Sequence, residues 1–208
     1  MTVYRLEPYK KTKVKVYFDE DAPAFVLYRK EIEKYDIKEG EDLSGETYKE
    51  ILDEILVKRA VSRTLYLLDA SAKTESQIRR KLRENFYPQE AIDEAVRYAK
   101  EKHYIDDEYF AEVFAERRSV SRSKRMVRME LVQKGIDRET ADRVLSSSDI
   151  DEKETIRKLI IKKFPPGTAP DMTECAKLTR SLCQKGFSFD DVKDVMDSLG
   201  KTGTLDIT

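Results

Sequence analysis

Six cationic side chains fall within twelve residues: Arg117, Arg118, Arg122, Lys124, Arg125 and Arg128. Guanidinium and ammonium groups gathered this closely do not make an acid–base or nucleophile set. Their chemistry is recognition, by charge-assisted hydrogen bonds to phosphates or to carboxylates in another protein's groove. Ser119, Ser121 and Ser123 lie among them and add hydroxyl donors. A second group, Arg79, Arg80, Lys81 and Arg83, puts four cations in five residues. The competing reading is a solvated helix face, because Asp106, Asp107, Glu108, Glu112 and Glu116 come just before the first cluster. Residues 105–147 carry nine basic and nine acidic side chains, so their sum is zero but their signs are segregated. A segregated pattern presents a local basic face despite a neutral total.

Other candidate chemistry is thin. The single histidine, His103, has no nucleophile set beside it, and helix-end polarity accounts for it. Asp106 and Asp107 suggest a metal, but capping and the helix dipole explain two acids at a helix start more simply. Cys175 and Cys183 are eight residues apart, about two helical turns. That is too far for a disulfide within one straight helix, and one histidine does not complete a zinc set with them. Buried, reduced thiols are expected. No Gly-rich phosphate loop or zinc spacing occurs. The sequence therefore predicts no catalytic, cofactor-binding or metal-binding residues, no cofactor, and no hydrolase, nuclease or nucleotide-binding activity.

The elements that must position the cations are helical. Tyr109, Phe110, Val113 and Phe114 read as the apolar face of one helix, with Asp106 or Asp107 as its cap. Val127 and Leu131 mark a second, stopped by Gly135. Asp137 caps a third, with Ala141, Val144 and Leu145 inward. The same skeleton occurs three times: Val127, Leu131, Ile136 and Ala141; Ile78, Leu82, Tyr87 and Ile92; Leu178, Leu182, Phe187 and Val192. Each set steps by four, five and five residues, the mark of a repeat protein. The two basic clusters fall at matching places in their repeats. In the first repeat Thr74 and Gln77 form a capping box and Pro88 suits the first turn of the next helix. Phe86 stands where the other repeats have glycine, and Asn85 is expected to take the left-handed turn instead. In the third repeat, Phe164-Pro-Pro-Gly-Thr-Ala-Pro170 lengthens the first joint. Leu67 to Ile78 is 11 residues and Phe114 to Val127 is 13, but Ile160 to Leu178 is 18. Ser188 with Asp191 opens the last helix.

Residues 1–58 differ. Val3–Tyr9, Lys13–Phe18 and Phe25–Tyr28 are β-prone runs, the first two joined as a hairpin. Gly40 is expected to stop the helix that follows Arg29. A helix capped by Ser44 should run from about Thr47 to Leu68, packing first on the sheet and then in the first repeat. The predicted fold is mainly α: an elongated array of three tandem three-helix repeats with a small β-containing N-terminal module. Its boundaries are 1–58, 59–103, 104–147 and 148–200, with a frayed tail at 201–208. Equal apolar and charged fractions, 39% each, with only seven glycines and six prolines, agree with long helices under a charged surface. A net charge of −1 gives no global pull toward polyanions or membranes. No apolar stretch is long enough to span a membrane, and the N-terminus lacks the apolar core of a signal peptide. A cytoplasmic monomer is expected.

Three passages resemble the RecX regulators of the bacterial RecA recombinase. They are Thr74-Glu-Ser-Gln-Ile-Arg-Arg-Lys-Leu82, Tyr104-Ile-Asp-Asp-Glu-Tyr-Phe-Ala111 followed by Arg117 and Arg118, and Glu130-Leu-Val-Gln-Lys-Gly-Ile136. The resemblance covers about residues 60 to 200, and residues 1–58 resemble the extra β-containing segment of longer members. The family often has glycine near the position of Ser123. The resemblance implies a non-enzymatic modulator that binds RecA nucleoprotein filaments in their groove and restrains recombination, with single- and double-stranded DNA as further partners. On that reading Arg79, Arg80, Arg83, Arg117, Arg118, Arg122, Lys124, Arg125 and Arg128 form the filament- or DNA-binding face. The alternative is a stand-alone DNA-binding helical-repeat protein such as a repressor, which must read base edges.

Overall fold

The computed structural model describes residues 1–201 and 204. Apart from Lys201 and Thr204, the expected tail lies outside the described residues. Three antiparallel strands come first, β1 (Arg5–Tyr9), β2 (Lys13–Tyr17) and β3 (Phe25–Tyr28), in the order β1-β2-β3. Helices follow: α1 (Arg29–Lys34), α2 (Gly45–Ile51), a π-helical segment (Leu52–Val57) and α3 (Lys58–Ala70). The first repeat is completed by α4 (Glu75–Arg83) and α5 (Gln89–Glu101). The second contains α6 (Asp107–Ser119), α7 (Lys124–Gln133) and α8 (Arg138–Ser147). The third contains α9 (Glu152–Lys163), α10 (Met172–Gln184) and α11 (Phe189–Lys201). The chain forms two compact units, Met1–Asp106 and Asp107–Thr208.

In the first unit a single core runs from the sheet into the first repeat. Val16, Phe25 and Leu27 belong to the same buried cluster as Ile51, Leu56, Ile78, Leu82 and Ile92. The helix expected at 47–68 spans Gly45–Ala70 but is not α-helical throughout. Its buried side chains are Ile51, Leu56, Ala60, Thr64 and Leu67. The five-residue step from Ile51 to Leu56 would drift off one face of an α-helix. The i→i+5 hydrogen bonding of a π segment brings it back.

In the second unit each repeat has its own core. Ala111, Ala115, Val127, Leu131, Ile136, Ala141, Val144 and Leu145 fill one; Ile156, Ile160, Phe164, Leu182, Phe187 and Val192 lead the other. Of the twelve skeleton residues only Tyr87 and Leu178 are half-buried; the rest are buried. The face expected for α6 is corrected. Tyr109 is 65% exposed, while Ala111, Ala115 and Ser119 point inward at steps of four. Small side chains let α6 approach its neighbours closely, and Phe110 and Phe114 stack at its flank with ring centroids 6.0 Å apart. The cysteines are half-buried rather than buried.

Helix stops follow one geometry. At Gly135 and Gly186 φ is +90° and +95°. The next amide, of Ile136 or Phe187, donates back to Leu131 O or Leu182 O at 3.1 and 3.3 Å, closing a Schellman motif that also packs the two apolar residues together. Phe86 adopts the same turn with φ +61°, donating to Arg83 O, and Tyr87 donates to Leu82 O. Asn85 does not take over, so the stop stays in register with the other repeats. A phenylalanine is strained there, and the sheet holds it. Its ring packs edge-on to Tyr9 at 5.6 Å, and the Lys15 ammonium lies 5.0 Å above it. His103 and Asp36 occupy equivalent left-handed stops after α5 and α1. Asp36, not Gly40, therefore ends α1; Gly40 turns the chain so that its N–H reaches Val3 O at 2.8 Å. Pro88 is the N-cap of α5 rather than its first residue. Phe86→Gly should be more stable than Phe86→Ala by about 1 kcal/mol, since alanine loses the ring yet keeps the strained φ. Urea denaturation of the two variants checks this ranking.

Candidate basic recognition site

Ser123 caps α7: its Oγ accepts from Met126 N–H at 3.2 Å, and the residue is 1% exposed. Its own N–H donates to Lys185 O at 3.1 Å, so the C-terminal end of α10 meets the N-terminal end of α7. Opposite ends of two helix dipoles are thereby placed together. Glu152 of α9 accepts from Lys124 N–H at the same helix start. The joint that carries the cations is thus fixed by backbone contacts from the third repeat.

The nine expected cations divide by environment. Arg79 pairs with Glu75 at 2.7 Å and with Asp93, bridging α4 and α5. Arg128 pairs with Asp142, bridging α7 and α8. Arg79 and Arg128 follow matching skeleton residues, as do Asp93 and Asp142, so the two pairs are one clip repeated. Proximity to Arg79 holds the Asp93 carboxyl below its ordinary range. Arg118 forms a two-pronged pair with Glu130, Nε to Oε2 at 2.7 Å and Nη2 to Oε1 at 2.8 Å, and Arg122 approaches the same carboxylate at 3.9 Å. Arg80 lies 3.8 Å from Glu84. Arg83, Arg117, Lys124 and Arg125 have no ion pair among the described residues. Arg83, Arg117 and Arg125 are exposed; the Lys124 residue is half-buried. The structure brings Arg118 and Arg122 together around Glu130 and ties Arg79 and Arg128 to their own repeats. The carboxylate partners were missed in sequence; the signal was the same Arg-to-Asp interval of 14 residues at matching positions.

Hydrogen bonding from Arg118 lowers the Glu130 pKa, with smaller help from Arg122 and Lys134 and opposition from burial. A lowered folded-state pKa contributes stability above the unfolded value, ordinarily about 4.3, and that stability is lost as pH falls through the lowered value. Arg118→Ala should therefore be less stable than wild type near neutrality. The difference should close as pH falls below the ordinary glutamate range. Melting temperatures from pH 7 to pH 3 test this, and a constant gap would show that the loss is packing alone.

Among the described residues no group of three or more His, Cys, Asp or Glu side chains is arranged to hold a metal, and no helix is long and apolar enough to cross a membrane. Three three-helix modules with a shared stop, cations on each of their second helices and a small sheet at the start define a tandem helical-repeat protein. Profiles of the RecX family match residues 60–98 as its first three-helix domain, 106–145 as its second and 151–196 as its third. Regulatory protein RecX of Caldanaerobacter subterraneus subsp. tengcongensis is 33% identical over 164 residues, covering 77% of this chain and 81% of that protein. Regulatory protein RecX of Clostridium botulinum (strain Eklund 17B) is 29% identical over 200 residues, 94% of each. A crystal structure of regulatory protein RecX shares the fold, with TM-score 0.59 at 23% identity over 94% of this chain and 98% of that one. The chain belongs to the RecX family of regulatory proteins.

Proposed function

We propose that this regulator binds nucleoprotein filaments of the RecA recombinase and restrains their activity without chemistry of its own. The observation that carries the reading is a set of cations, Arg117, Lys124 and Arg125, whose side chains make no ion pair among the described residues, on a firmly anchored joint in a RecX-family chain. Arg80, Arg83 and Arg122 add weakly paired or unpaired charge, whereas Arg79, Arg118 and Arg128 act mainly as internal clips. Unpaired cations on a rigid mount can meet phosphates or acidic side chains without first breaking an internal pair. The attraction is screened by salt.

The test is filament ATP turnover with wild type and the double variant Arg117→Gln/Arg125→Glu. Arg125 lies in the first turn of α7, where glutamate suits the dipole, so folding should be kept. The variant should need roughly fivefold more protein for equal inhibition, with a weaker salt dependence. Equal inhibition by two equally folded proteins would reject this face. Binding of wild type to bare DNA with no effect on filaments would favour the stand-alone DNA-binding reading.

A further inference from the structure

The longer first joint of the third repeat reshapes the surface there. α9 ends at Lys163, its C-cap Phe164 is buried, and the chain passes through the Pro-rich loop to Pro170, also buried, before α10 begins at Met172. Between α9 and α10 lies an open groove of about 620 Å³, a size at which clefts hold ligands, roughly 300–1,000 Å³. Its floor is apolar: half-buried Leu159 and Leu178 lie over Leu182 and Phe164 of the core. Its rim is mainly cationic: Lys162 and Lys163 come from α9, Lys177 from α10 and Lys185 from the C-cap of α10. None of the four has an ion pair among the described residues. Among the described lining residues the one acid is Glu174, whose Oε2 accepts from Asp171 N–H at 3.2 Å in the capping box of α10.

Four ammonium groups against a single lining carboxylate leave a net positive rim around a leucine floor, which asks for an occupant that is apolar on one side and anionic on its flanks. We propose that this groove docks an acidic amphipathic helix from a partner protein. The partner's apolar stripe would cover Leu159 and Leu178, and its carboxylates would meet the lysines. A trough between two helices suits such a helix, whose apolar residues at i, i+3, i+4 and i+7 fill it. A nucleic-acid backbone would satisfy the lysines but leave the leucines uncovered. Lysine supplies mobile point charges, which accept carboxylates at several positions along a helix edge. The site uses none of the cations assigned to filament binding, so either proposal can fail alone.

The probe is an 18-residue fluorescent peptide with leucine at i, i+3, i+4 and i+7 and glutamate along both flanks, titrated with the full chain by anisotropy. Three controls accompany it: the same peptide with lysine for glutamate, one of identical composition with its leucine spacing scrambled, and a single-stranded oligonucleotide. The acidic amphipathic peptide should bind at least about tenfold more tightly than each control. Lys162→Glu/Lys177→Glu should lose that binding at an unchanged melting temperature. Leu178→Asn, at a half-buried position, should weaken the amphipathic peptide while leaving the scrambled one unaffected. No binding, equal binding of the scrambled peptide, or an unaffected lysine variant would each overturn the proposal. Tighter binding of the oligonucleotide, lost in the lysine variant, would overturn it in favour of a nucleic-acid site.

Discussion

Leu131→Ala is expected to lower the free energy of unfolding by about 2–5 kcal/mol, the range for truncating a leucine in a well-packed core. Leu131 is fully buried, and its carbonyl receives the Ile136 amide at the helix stop. Its side chain belongs to the second repeat's core with Ala111, Ala115 and Ala141. Those alanines allow close approach but cannot swell into a cavity, so collapse around the missing atoms should be limited. Val132→Ala is the control: Val132 is 36% exposed, and its change should stay within about 0.5 kcal/mol. Urea titration of both variants decides the matter. Equal midpoints would mean that the repeated apolar skeleton does not mark the core.

Gly186→Ala should cost about 2–4 kcal/mol, from two causes. At φ +95° a Cβ is strained, a penalty of roughly 1–2 kcal/mol by itself. The added carbon would also overlap Ser123 Oγ and approach Met126 Cβ to 3.1 Å. Ser123 cannot swing aside freely, since its Oγ caps α7. Gly167 provides the comparison, with φ +84° and nothing near the site of a new Cβ. Gly167→Ala should show the conformational cost alone, and Gly186→Ala at least about 1 kcal/mol more. Matching losses in denaturant titrations would mean that the second and third repeats do not press together at this point.

What could be read from the chain depended on how local its cause was. Ser44, Thr74, Asp137 and Ser188 are caps because a short polar side chain reaches an amide three residues on, and all four make that contact. Gly135 and Gly186 were visible as stops for a similarly local reason. Phe86 was not, because its left-handed turn is sustained by Tyr9 and Lys15, more than 70 residues earlier. The inner face of α6 was misjudged because the Tyr109 ring offers more apolar area than Ala111, whereas close helix packing favours the smaller side chain. The pairing of the candidate cations was only partly legible. Density of charge identified the joint, but the distinction between tied Arg128 and unpaired Arg125 depends on Asp142, which reaches α7 only after α8 folds back. The lysines of the third repeat are scattered over two helices, and the turn through the Pro-rich loop makes them neighbours.

The meeting of α10 with the start of α7 fixes where the chain can change length. One residue added within α10 would displace Lys185 by about 1.5 Å and turn it by roughly 100°, carrying its carbonyl away from Ser123. A residue added between Phe164 and Pro170 would be absorbed by exposed backbone, at only a small entropic cost for a longer loop. Insertions and deletions in this repeat should therefore collect in the proline segment, while α10 keeps a constant number of turns.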